Sequence, residues 1–135
     1  MTTKKKIEYK EIHFLKNEEL NYLELVMNDK NIHDPTSYII TIGIVTEFCE
    51  KIRPKYLVIN RLHSDFVLSP NLRQFTDNHI FSILKSVGVK NFILLVEEKS
   101  ETYDYKTLVK EILDPSYMIG FKSIEDMEDW MRQQK

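Results

Sequence analysis

The sequence predicts one α/β domain spanning 1–135, with a mixed, mostly parallel sheet of about five strands and about four helices that opens with a β-hairpin. Two features lead there. Period-two apolar alternation at the start marks a hairpin, and unbroken apolar runs further on mark strands buried on both faces, with capped amphipathic segments between them.

Ile12 and Phe14 alternate with Glu11 and His13, and Leu23, Leu25 and Met27 alternate with Tyr22, Glu24 and Val26. The short polar Lys16-Asn17-Glu18-Glu19 between them suits an antiparallel turn. The preceding Lys4-Lys5-Lys6 run reads as a solvated tail. Asp34-Pro35 offers an N-cap and a proline at the first helical position, and Tyr38, Ile42, Val45, Cys49 and Ile52 then form one apolar stripe before Pro54.

Lys55 to Asn60 contains Tyr-Leu-Val-Ile without alternation, and Phe92 to Val96 repeats the pattern. Between them Ser69-Pro70 starts a second helix whose expected inward stripe is Phe75, His79, Ile83 and Val87, with Gly88 as its C′ residue. Strand, helix and strand in this order predict a parallel pair. A third helix is expected at Tyr105 to Ile112 and a last strand at Tyr117 to Phe121. Ser123 should cap a final helix that turns Ile124, Met127, Trp130 and Met131 inward.

Net charge is −2, and both signs are spread along the chain, which argues against nucleic acid as a partner. No apolar run approaches the ~18 residues of a membrane span, and the start is basic and polar, so the expected location is cytoplasmic. The single cysteine, Cys49, lies in a helical stripe and reads as core. The four histidines, His13, His33, His63 and His79, show no metal-ligand spacing, and His79 reads as a partly buried side chain. The three glycines are scattered, so neither phosphate-binding loop is present and no cofactor is expected.

The segment from Asn60 to Ser69 joins the carboxyl end of a buried strand to a helix N-terminus, where open α/β sheets bind ligands. Asn60, Arg61, His63, Ser64, Asp65 and Ser69 are therefore the candidate contact residues for a protein partner or small ligand. Neighbours in sequence seldom converge as a catalytic triad, so the expected role is non-enzymatic. A hydrolase using His63, Asp65 or Ser69 is the enzymatic alternative.

Tyr56-Leu57-Val58-Ile59-Asn60, Phe66-Val67-Leu68-Ser69-Pro70-Asn71-Leu72-Arg73-Gln74, and Gly120-Phe121-Lys122-Ser123 leading into Ile124-Glu125-Asp126-Met127-Glu128-Asp129-Trp130-Met131 together resemble STAS-like proteins related to bacterial anti-sigma-factor antagonists. The resemblance implies a βα superhelix and a regulatory or binding module acting through residues 60–74. It also implies phosphorylation at Ser69, the position nearest the family's modified serine, although the residue itself reads as an N-cap. A relation of some members to lipid-binding domains adds a small-molecule or lipid carrier as an alternative. In such a superhelix the helices gather on one side, so strands apolar on both faces lead to the expectation of a homodimer.

Overall fold

The computed structural model describes residues 4–64, 66, 69–96 and 117–134. They form a mixed six-stranded sheet in simple sequential order: β1 (Lys4–Tyr9), β2 (Ile12–Asn17), β3 (Tyr22–Asn28), β4 (Tyr56–His63), β5 (Asn91–Leu95) and β6 (Met118–Phe121). The first three strands are an antiparallel meander, and β3 to β6 run parallel. The expected α/β architecture is present, with one strand more than the sequence suggested. The lysine run is that strand. Lys4, Lys5 and Lys6 pair with Asn17, Lys16 and Leu15, because Ile7 can pack on the core from this register. The reading of these lysines as a tail is corrected.

The described residues contain three helical segments. α1 (Pro35–Ile52) begins at Asp34, whose carboxylate accepts the Ser37 N–H at 2.7 Å while the Ser37 hydroxyl accepts the Asp34 N–H at 3.0 Å. Both donors belong to groups that a helix start otherwise leaves unsatisfied. α2 runs through Pro70–Phe75, a π-helical turn at Thr76–Ile80, and Phe81–Ser86. Gly88 follows with φ +92°, a backbone region that favours glycine. α3 (Ile124–Gln133) is capped by Ser123, whose hydroxyl accepts the Asp126 N–H at 3.1 Å. The helix expected at 105–112 lies outside the described residues.

The π turn changes which residues face inward. Leu72, Thr76, Ile80, Phe81 and Leu84 are buried, whereas His79 is exposed and Ile83 is 44% exposed. The expected stripe of Phe75, His79, Ile83 and Val87 therefore holds at Val87, which is buried, and at Phe75, which packs against the core from a half-buried position, but fails at Ile83 and at His79, a surface residue beside the Phe75 ring. A widened turn adds a residue to the helix circumference, so a strict 3.6-residue count loses its phase there. Thr76 opens this turn, its hydroxyl donating to the Leu72 carbonyl at 2.8 Å.

α1 and α2 cover one face of the sheet, where Leu23, Leu25, Leu57, Ile59, Phe92 and Leu94 join Ile42, Val45, Cys49 and Leu84 in one core. α3 covers part of the other, placing Met127 and Met131 against Tyr22, Tyr56, Val58, Ile93 and Leu95. Helices on both faces explain how the central strands can be apolar on both sides within one chain. They replace the one-sided arrangement on which the homodimer expectation stood. Trp130 reaches from α3 across to Tyr56 and Phe121, with ring centroids 5.6 and 5.7 Å apart. It is half-buried, so Trp130→Ala should cost about 2 kcal/mol, less than a fully enclosed tryptophan. Urea unfolding measures this, and a loss under about 0.5 kcal/mol would mean that the two ring contacts contribute little.

Candidate functional site

β4 continues three residues past the expected end at Asn60, so Arg61, Leu62 and His63 belong to the strand and not to the loop. Strand alternation then sends neighbouring candidates to opposite faces. Asn60 points toward the α3 face, where its amide donates to Glu24 Oε2 at 3.0 Å and its carbonyl oxygen accepts the Leu62 N–H at 2.9 Å. Arg61 points the other way, is 5% exposed, and donates from its guanidinium to the Phe66 carbonyl. The sheet itself separates the two.

The remaining candidates lie along the carboxyl end of β4. His63 is exposed at the strand's last position, level with Asn28 of β3. Ser64 donates its N–H to the Arg61 carbonyl at 3.2 Å, and its hydroxyl accepts the Phe66 N–H at 3.3 Å. Ser69 caps α2, its hydroxyl accepting the Leu72 N–H at 3.3 Å. Asp65 lies outside the described residues. Each serine hydroxyl is thus engaged in shaping its own turn, and each has a local structural role.

Around Arg61 the first turn of α1 meets the middle of α2. Tyr38 of α1 and Thr76 of α2 share a 2.5 Å hydrogen bond, and the Tyr38 ring stacks on Phe66 with centroids 6.0 Å apart. Burial pushes the Tyr38 phenol up to about 12, against the opposing effects of the Thr76 hydrogen bond and the Arg61 charge. This cluster pins Phe66 to α1. Immediately after Tyr38, Ile39 and Ile40 turn outward and are 45% and 58% exposed.

A second polar constellation was not foreseen. Glu24, fully buried on β3, takes the Asn60 amide and the Lys4 ammonium, the latter at 3.3 Å. Further along the same face the Tyr22 hydroxyl donates to Glu128 of α3 at 2.6 Å, and the Asn17 amide reaches the same oxygen at 3.4 Å. Arg132 lies 3.8 Å from the other Glu128 oxygen. The alternation that placed Leu23 and Leu25 inward made Tyr22, Glu24 and Val26 look like the solvent side. The available signal was that two of these three are apolar or aromatic, which a solvated face does not need.

Among the described residues no group of three or more histidine, cysteine, aspartate and glutamate side chains could hold a metal ion, and no helix is long and apolar enough to cross a membrane. No family model, curated protein or solved structure matches the chain closely enough to relate it to a family.

The cap explains Ser69 without any signalling role. Ser69→Ala should cost about 1 kcal/mol, and Ser69→Asp should fold nearly as stably, since a carboxylate also accepts the α2 N–H groups and suits the helix dipole. Thermal unfolding of both variants checks this, and phosphate recovered on Ser69 from native cells would show a further use of the residue.

Proposed function

We propose that the chain is a non-enzymatic, STAS-like regulatory or binding module that engages a protein partner through residues 60–74 and the adjoining turns of α1. The single observation that carries this reading is the exposed pair Ile39 and Ile40 in the first turns of α1, the helix whose Tyr38 holds Phe66. They present adjacent β-branched side chains to solvent one and two residues after Tyr38. Exposed His63 and Ser69 supply polar groups from the loop ends. Exposed apolar side chains together with polar ones are the composition protein interfaces use. The position, at the carboxyl ends of parallel strands, is where open α/β sheets recognise ligands.

The test is a photo-crosslinking amino acid at position 40, at position 63, or at the remote Lys51 in the last turn of α1, each in native cells. One discrete adduct from 40 and 63 but not from 51 is expected, and Ile39→Lys should abolish it at 63 while leaving stability within about 0.5 kcal/mol. Adducts of equal yield at 51, or none at 40 and 63, would reject this surface. A small molecule retained by the purified protein in native mass spectrometry would favour a carrier instead.

A further inference from the structure

We propose that the outer edge of β1 is a second interaction surface, which takes an extended acidic segment of another protein as an added strand. β1 is the terminal strand of the sheet, and among the described residues no strand pairs with its outer side. Lys5, Lys6, Glu8 and Tyr9 are all exposed, Tyr9 at 42%. Such an edge offers a row of backbone donors and acceptors to any extended chain.

Charge selects the occupant. β1 carries three lysines against one glutamate. Lys4 is turned over the sheet to Glu24, and Glu8 lies 3.4 Å from His13, so the exposed ammonium groups of Lys5 and Lys6 dominate the edge. Lysines on an edge repel neutral and basic strands and complement an acidic one. The same excess argues against a second copy, which would bring another net-positive strand alongside the first.

Shape adds a second element. Beside this edge, on the face that α3 covers only in part, lies a groove of about 340 Å³ lined by Lys6, Glu8, His13, Phe14, Leu15 and Val26. Leu15 and Val26 are half-buried and form its apolar part. A strand added to β1 would direct alternate side chains to this face. The apolar side chains of an alternating segment then face the groove beside Lys6, while its acidic ones meet Lys5 on the opposite face. This surface lies on the sheet's lateral edge, with β2 and β3 between β1 and β4, and does not depend on the function proposed above.

The probe is a fluorescein-labelled octapeptide of alternating glutamate and valine, titrated with the full chain at low salt and followed by anisotropy. Binding is expected to weaken at least tenfold in the Lys5→Glu/Lys6→Glu variant. It should weaken as much when the peptide's valines are replaced by proline, which removes the donors that strand pairing needs. Amide exchange in β1 should slow when the acidic peptide is present. The proposal is overturned if the acidic peptide does not bind, if a lysine–valine octapeptide binds equally well, or if the proline peptide keeps full affinity. It is also overturned if the free protein has a mass near twice 16.2 kDa that falls to one chain in the double variant, because the edge would then belong to a second copy.

Discussion

Raising the pH past about 11 should unfold this protein cooperatively, because three groups are buried in forms that alkali removes. Tyr22 is held most strongly in its protonated form. Burial first, then its hydrogen bond to Glu128 and the charges of Glu128 and Glu24, hold its phenol far above the usual range. Burial pushes Tyr38 and the Cys49 thiol each up to about 12. The sign follows directly. All three keep their protons in the folded chain and lose them earlier in the unfolded one, so their stabilising effect is complete below about pH 8 and declines as pH rises toward the folded values. Near pH 11.5 the combined loss is on the order of 7 kcal/mol, comparable to the whole stability of an ordinary domain.

Circular dichroism and tyrosinate absorbance, recorded along one alkaline titration, should show a shared cooperative step, since the two buried phenols ionise only as the chain opens. Tyrosinate absorbance that reaches the full amplitude of all seven tyrosines before secondary structure is lost would show that both are accessible. Cys49→Ala separates the thiol from the tyrosines. It should weaken the protein by about 1 kcal/mol at neutral pH, through a small cavity, yet match or exceed the natural chain near pH 11.5, where it no longer carries a thiol to ionise. A constant deficit at every pH would remove Cys49 from the account.

Helix starts were legible because their chemistry is local. Asp34-Pro35, Ser69-Pro70 and Ser123 satisfy backbone N–H groups with side chains a few residues away, and all three cap as the sequence implies. The parallel strands were legible from their unbroken apolar runs. What escaped depended on partners distant in sequence. β1 is a strand only because β2 supplies its ladder, and its lysines carry no strand signal of their own. The inward face of α2 depended on a π turn that no periodicity announces.

The candidate site was half legible for the same reason. That residues 60–69 join a strand to a helix could be read directly, but the extension of β4 to His63 decides that Asn60 and Arg61 diverge. Glu24 shows the limit of alternation as a guide. A glutamate among apolar neighbours reads as a solvent mark, yet here a helix from the far end of the chain closes over part of that face while Lys4 and Asn60 supply the charge and the hydrogen bond that permit burial.

Replacing Asn60 by leucine should destabilise the fold by about 3 kcal/mol, more than an asparagine's own hydrogen bonds are worth, because the change leaves the Glu24 carboxylate buried with Lys4 as its remaining partner. Glu24→Leu alone should cost about 2 kcal/mol, since it strands a neutral amide instead of a charge. In register, Glu24 lies between Leu15 of β2 and Val58 of β4, an apolar setting that accepts a leucine. Lys4, at the sheet edge with 23% of its side chain exposed, can turn to water once the carboxylate is gone. The Glu24→Leu/Asn60→Leu double variant should therefore lose only about 2 kcal/mol, well short of the sum of the single losses, which puts the coupling near 3 kcal/mol. Urea denaturation of the four proteins in the cycle provides the measurement. Additive losses would show that Glu24 and Asn60 act independently, and that water or Lys4 alone can satisfy the carboxylate.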